Sequence, residues 1–291
     1  MDIKAFYDTR TSTLTYVVYD AATRDAVVID PVLDYDPVGS KIWTESADTV
    51  IAYVEAQNLR LHYILETHAH ADHLSGAQHI KDRFPHAKLA VGARITVVQE
   101  AFKKVFALPD DFPTDGRQFD VLLEDNQVTV AGTLRFEALP TPGHTPACAS
   151  YLFGDALFTG DTLFMPDQGT GRCDFPAGSA EDLYDSIQRL YELPPELRIF
   201  VGHDYQPGGR PLAWETTIDA QRRHNVQLPA DRSREDFVAW RRERDAGLSA
   251  PRLLFQSVQV NVDGGHLPQF FKVPLNVFRP DSNGDLELRD C

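Results

Sequence analysis

Residues 66–73 read Glu66-Thr67-His68-Ala69-His70-Ala71-Asp72-His73, which puts three imidazoles and a carboxylate within six positions. Imidazole nitrogen and carboxylate oxygen suit zinc, iron or manganese at about 2.0–2.2 Å, so a metal site is the first hypothesis. Three later segments each offer one further donor: Leu139-Pro140-Thr141-Pro142-Gly143-His144-Thr145, Leu157-Phe158-Thr159-Gly160-Asp161-Thr162 and Ile199-Phe200-Val201-Gly202-His203-Asp204. In each, an apolar run leads to a glycine and then to the donor. Glycine lets the backbone turn tightly and approach an ion without a Cβ clash, so the repeated arrangement reads as loops delivering ligands to one rim. Alone, His144 reads as a structural histidine and Asp161 as a turn former; in this order and together they read as one site.

The elements that must position these donors follow from hydrophobic spacing. Leu61-His62-Tyr63-Ile64-Leu65 is a short apolar run of strand type, and residues 74–84 carry helical spacing at Leu74, Ala77 and Ile80. The cluster therefore sits on a strand-to-helix turn, where consecutive side chains are exposed at the rim of a sheet and neighbouring imidazoles can converge. Residues 13–19 and 26–30 read as an opening hairpin, and 49–56 as part of the first helix. Strands dominate the middle at 128–130, 133–139, 149–153 and 156–159, with Gly154-Asp155 as a hairpin turn. Ser179 is placed to cap a helix with Leu183, Ile187, Leu190 and Tyr191 on one face, which Pro194-Pro195 stops. Beyond His203, residues 214–227 and 233–246 read as helices and 253–260 as a strand, and the polar, acidic residues 279–291 are expected to fray.

Composition is that of a globular chain: 291 residues, 43% hydrophobic and 24% charged, enough for one large domain with a full core. No apolar run is long enough to span a bilayer and Met1-Asp2-Ile3-Lys4 lacks a secretory apolar region, so a cytoplasmic location without membrane contact is expected. A formal charge of −15 disfavours a nucleic-acid partner. Residues 210–252 invert that balance locally, with nine Arg against seven acids and no Lys. Solvated helix faces are the expected place for these arginines, an anion-binding rim or subunit interface the alternative. Cys148, Cys173 and Cys291 are odd in number and lack CxxC spacing, which predicts reduced thiols with no catalytic role.

The cluster His68-x-His70-x-Asp72-His73, followed by Gly143-His144-Thr145, Gly160-Asp161-Thr162-Leu163-Phe164 and Gly202-His203-Asp204-Tyr205, resembles the metallo-β-lactamase fold superfamily over roughly residues 10–205. The resemblance implies an α/β fold, a four-layer αββα sandwich with the metal site in loops at one edge of the two sheets. Residues 1–291 would form a single domain, with a C-terminal extension at about 206–278. In the superfamily the seven matching positions can hold two metals, most often zinc, bridged by hydroxide and by Asp161.

Gly169-Thr170-Gly171-Arg172-Cys173-Asp174-Phe175 and the His203-Asp204-Tyr205 triplet are similar to the persulfide (sulfur) dioxygenase branch related to glyoxalase II. That similarity implies one Fe(II) bound by His68, His144 and Asp161, with glutathione persulfide and dioxygen as substrates and sulfite and glutathione as products. His70, Asp72, His73 and His203 would then hydrogen-bond and orient around an unfilled second position. Arg172 is the candidate partner for a glutathione carboxylate, with Tyr205 beside it; an ion pair from Arg172 to Asp174 that shapes the loop is the competing reading. Residue chemistry alone leaves a second function open, a hydroxyacylglutathione hydrolase of glyoxalase II type in which a dinuclear zinc site activates water against a thioester. A catalytically silent metal sensor is a third, which loss of a core ligand would favour. A homodimer is the default assembly.

Overall fold

The computed structural model describes residues 1–274 and the backbone of 279–280 and 286–287. Strands β1 (Asp2–Asp8), β2 (Thr13–Tyr19) and β3 (Asp25–Ile29) open the chain as an antiparallel meander. Along β2, Leu14, Tyr16 and Val18 join one core cluster and Val17 another, all of them buried, so both faces of the sheet are covered. The hairpin expected at 13–19 and 26–30 is present.

Next come β4 (Val32–Asp36), β5 (Lys41–Trp43), α1 (Glu45–Ala56), β6 (Arg60–Glu66), β7 (Leu74–Ser75), α2 (Ala77–Arg83), β8 (Lys88–Gly92), α3 (Ile95–Val105) and β9 (Val121–Leu123). The first sheet has the order β1-β2-β3-β6-β8-β9, with β3, β6, β8 and β9 parallel, and β5-β4-β7 forms a small separate ladder. The second half contributes β10 (Gln127–Ala131), β11 (Leu134–Pro140), β12 (Ala149–Phe153), β13 (Ala156–Phe158), α4 (Ala180–Tyr191), β14 (Arg198–Phe200), β15 (Glu215–Thr217), α5 (Ile218–His224), α6 (Arg234–Ala246) and α7 (Leu254–Asn261). Its sheet runs β10-β11-β12-β13-β14-β15, antiparallel except for the parallel β13/β14 pair.

Leu14, Tyr16, Val27 and Ile29 of the first sheet meet Phe136, Tyr151, Phe158 and Phe200 of the second in one core. The rings interlock edge to face, as in Tyr16 against Phe158 at 5.1 Å and against Phe200 at 5.7 Å. Helices α1, α2, α3 and α7 cover the outer face of the first sheet, and residues of α4, α5 and α6 join the core of the second. The result is the αββα sandwich. Among the described residues no helix is long and apolar enough to cross a membrane.

Helix α4 starts as its sequence dictates, with Ser179 Oγ accepting from Asp182 N at 3.1 Å, a cap worth about 1 kcal/mol. Four expectations need correction. Residues 253–260 form a helix instead of a strand: Leu254 and Val258, one helical turn apart, bury against the first sheet's helical layer, and that burial overrides the strand preference of Val258 and Val260. At 214–227 the helix begins only at Ile218, because Glu215–Thr217 pairs as an edge strand with β14 and Thr217 caps the turn that follows. Leu74 and Ser75 pair with Leu33 and Val32 before α2 begins at Ala77, so the metal cluster leads into a short strand first. Within 279–291, Arg279–Pro280 and Leu286–Glu287 pair antiparallel instead of fraying; the remaining residues of that span lie outside the described ones.

Candidate metal centre

Each donor loop follows the C-terminal end of a strand: His68 to His73 after β6, His144 after β11, Asp161 after β13 and His203 after β14. The glycines that precede three of them are used as expected. Gly143 and Gly160 have φ of +146° and +48°, and a Cβ on Gly160 would lie 2.4 Å from Thr67 Oγ1; Gly202 instead packs its Cα against the Gly160 backbone.

The loops bring all seven expected donors together in the interior. His68, His144 and Asp161 offer donor atoms within 4.8 Å of one another, with His144 Nε2 3.5 Å and His68 Nε2 3.9 Å from Asp161 Oδ2. Beside them, His70, Asp72 and His73 form a second such group. His203 links the two: its Nε2 lies 3.2 Å from Asp161 Oδ1 and 3.4 Å from Asp72 Oδ2. His68 Nε2, His70 Nδ1 and His73 Nε2 are buried with no hydrogen-bond partner. A buried polar atom without a partner is costly. Three of them in adjoining rings, with carboxylates alongside, fit a bound cation.

The far side of each ring is held. His144 Nδ1–H donates to the Arg172 carbonyl at 2.7 Å and His203 Nδ1–H to the Ser12 carbonyl at 3.2 Å. Because a carbonyl only accepts, these bonds turn Nε2 of both rings towards the centre. His70 is held the other way round, with Nε2 3.0 Å from Asp30 Oδ1 and 3.2 Å from Glu66 Oε2, so that Nδ1 is left bare. His70 thus presents a donor atom of its own, more than the orienting role expected of it. Thr67 N and Oγ1 donate to Asp30 at 2.7 and 2.8 Å and lock this carboxylate in turn.

Burial, helped by the nearby His70, drives the His68 imidazole well below its usual range and keeps it neutral. Burial also pulls on His70 and His203, but carboxylates outweigh it: Asp30 and Glu66 raise His70 well above its ordinary value, and Asp72 and Asp161 bring His203 up to about 9. Against the same burial, the histidines, His203 foremost, hold Asp72 and Asp161 below the usual carboxylate range. Asp72 and Asp161 stay ionised here, and an entering cation would displace histidine protons.

The two expected substrate residues are placed differently from one another. Arg172 aims Nε at Asp174 Oδ1 at 2.6 Å and Nη1 at the Ser249 carbonyl at 2.7 Å, with its guanidinium over the Phe175 ring. Its fork engages Asp174 and shapes the loop, the contact that the competing reading describes. Tyr205 stacks on His203 at 5.6 Å and remains 47% exposed, at the mouth of the site. A small cavity of about 10 Å³, lined by Ala71, Val98, Phe102, Phe175 and Val258, reaches His144 from the apolar side.

Solvated faces describe Arg223, Arg234 and Arg242, which pair with Asp219, Asp185 and Glu181 at the surface. They do not describe Arg210, which binds both oxygens of the buried Asp204, or Arg241, which is 1% exposed. Asn261 went unnoticed in the sequence: from α7 its Nδ2 donates to the His70 and His73 carbonyls at 2.7 and 2.8 Å. No local motif marks such a residue. Asp30 had a signal, a carboxylate ending an apolar strand. Cys148 and Cys173 are free and buried, and burial pushes Cys148 up to about 12 and Cys173 well above the ordinary thiol value, in line with inert thiols; Cys291 lies outside the described residues.

Comparison with known proteins agrees with this geometry. The chain is 42% identical to a protein named Glyoxylase B2 from Dictyostelium discoideum over 95% of its own length and 98% of the relative's. It is 30% identical to the mitochondrial persulfide dioxygenase ETHE1 of Bos taurus, over 81% and 78% of the two chains. The crystal structure of ETHE1 from Myxococcus xanthus superposes with a TM-score of 0.73 at 32% identity, covering 91% of this chain and 100% of that one. Residues 8–203 match the metallo-beta-lactamase superfamily, and with the sandwich fold and the donor loops in place the chain belongs to that superfamily.

Proposed function

We propose that the chain is a persulfide dioxygenase that oxidises glutathione persulfide with dioxygen to sulfite and glutathione, using one Fe(II) held by His68, His144 and Asp161. The observation that carries this reading is the convergence of two imidazoles and one carboxylate, all buried, into one group. Such a set leaves adjacent positions open, and bound iron would supply dioxygen activation there. The likeness to the Bos taurus persulfide dioxygenase and to the Myxococcus xanthus structure supports it.

The chain's own residues have separable tasks. The Arg172 carbonyl orients His144, and the Arg172–Asp174 pair shapes the loop. Asp72 and His203 brace Asp161 from the second group. Tyr205 flanks the entrance, and the apolar side chains of Ala71, Val98, Phe102 and Val258 line a small cavity beside His144. On the same reading the enzyme works in the cytoplasm, away from membranes and nucleic acid, as a homodimer that analytical ultracentrifugation would detect.

A second reading has an observation of its own. The bare Nδ1 of His70 and Nε2 of His73, beside Asp72, complete a second donor group of the kind a dinuclear zinc hydroxyacylglutathione hydrolase would use. The Glyoxylase B2 relative supports this alternative. The two are separated by loading the chain anaerobically with Fe(II), supplying glutathione persulfide, and following oxygen uptake and sulfite. Absence of uptake, together with rapid S-lactoylglutathione hydrolysis by a two-zinc form, would overturn the dioxygenase.

A further inference from the structure

Besides Asn261, the C-terminal extension reaches the metal centre through a buried ion pair. From α6, Arg241 Nη1 donates to the Gly171 carbonyl at 3.2 Å, Thr170 Oγ1 at 3.3 Å and Gln227 Oε1 at 3.1 Å, while Nη2 pairs with Asp245 Oδ1. The other Asp245 oxygen accepts from Cys173 N at 2.7 Å, and Gln227 Oε1 accepts from Thr170 N at 3.0 Å. Residues 170, 171 and 173 are thereby pinned on both sides of Arg172. Between the pins, the Arg172 carbonyl accepts the Nδ1 proton of His144 and directs Nε2 at Asp161. Helix α6 has an anchor of its own in the packing of Phe237 and Val238 in the core, so the pair is not needed to dock the helix.

We propose that the Arg241–Asp245 pair is the positioning element for His144: it sets the 170–173 backbone so that the Arg172 carbonyl fixes the ring's tautomer and direction. The inference rests on reading His144 as a metal ligand and is independent of which reaction follows. A purely structural pair could be exchanged for apolar groups of similar volume with little loss. A positioning pair could not, because apolar side chains cannot hold the Gly171 carbonyl and Cys173 amide. Lysine would keep the charge and lose the fork.

The test uses full-length protein, stripped of metal, in three forms: wild type, Arg241→Met combined with Asp245→Leu, and Arg241→Lys. Fe(II) is added anaerobically against a competing chelator, and the Nδ1–H signal of His144 is followed by histidine-labelled NMR before metal is added. The double variant is expected to fold with a lowered Tm, because the Gly171 carbonyl and Cys173 amide lose their partners, to lose iron affinity by about 10–100-fold, as for removal of a ligand's hydrogen-bond partner, and to show a shifted, solvent-exchanging His144 signal. Arg241→Lys should fall between the two. Iron affinity within twofold of wild type, with the His144 signal unmoved, overturns the proposal. If the double variant does not fold, wild-type iron affinity in Arg241→Lys overturns it equally. A wild-type chain that retains no Fe(II) removes the premise that His144 is a ligand. Failure of persulfide turnover alone affects only the reaction assigned above, since no readout here depends on it.

Discussion

At the scale of single residues, the donors could be read because their chemistry has no competing use. Three histidines and an aspartate in six positions have few structural reasons to coexist, and each distant donor carried its own glycine. Arg172 is harder to read, because its role depends on a neighbour two positions away and Asp174 engages the fork. Gly171 offers a sharp test: a Cβ there would lie 2.0 Å from the Asp161 carbonyl oxygen. Gly171→Ala should therefore displace Asp161 or the loop, and iron retention measured by chelator competition should fall by about tenfold or more. The cysteines give an opposite expectation. With burial pushing Cys148 up to about 12 and Cys173 well above the ordinary thiol value, neither should react with an alkylating reagent at pH 8 in the native protein, as peptide mass mapping would report, whereas both should react after denaturation.

Among the elements, those with their own punctuation were legible: Ser179 and Ser233 start α4 and α6 by capping, and the central hairpin turns at Gly154. Elements defined by what they pack against were not. Val258 and Val260 favour a strand in isolation, yet α7 exists because its apolar side closes over α3 and the first sheet. Its last residue, Asn261, repays that burial by holding the metal cluster's backbone and accepting from Ser75 N at 2.8 Å. Asn261→Ala would leave buried carbonyl and amide groups unpaired. Urea unfolding should register a loss on the order of 3 kcal/mol, and metal affinity should weaken because the His70 and His73 carbonyls are released.

For the whole molecule, the sandwich was foreseeable from motif order, whereas the ties between its halves were not, since they join residues far apart in sequence. One tie lies at the start of β3, where the buried Asp25 accepts from Thr133 N at 2.9 Å and pairs with His62 at 2.7 Å, joining the first sheet to the β10–β11 turn. Burial opposes ionisation of Asp25, but His62 and Thr133 outweigh it and hold the carboxyl below its usual range. A depressed carboxylate contributes stability above its unfolded value near about 4 and loses it as the pH falls through the folded value. Acid unfolding of Asp25→Asn should accordingly be less steep below about pH 4 than that of wild type. Chelation should act globally too: an ion present at about 100–1,000 times its dissociation constant adds roughly 3–4 kcal/mol, so stripping it should lower Tm by about 5–15 °C. The donors themselves are divided, His68 to His73 arriving with the first sheet and His144, Asp161 and His203 with the second. No ion can engage both sets until the two halves have docked, so metal is a late guest in folding and a brake on unfolding. Which ion the chain carries then depends on what the surroundings supply at the moment of closure, as well as on the affinities of the finished site.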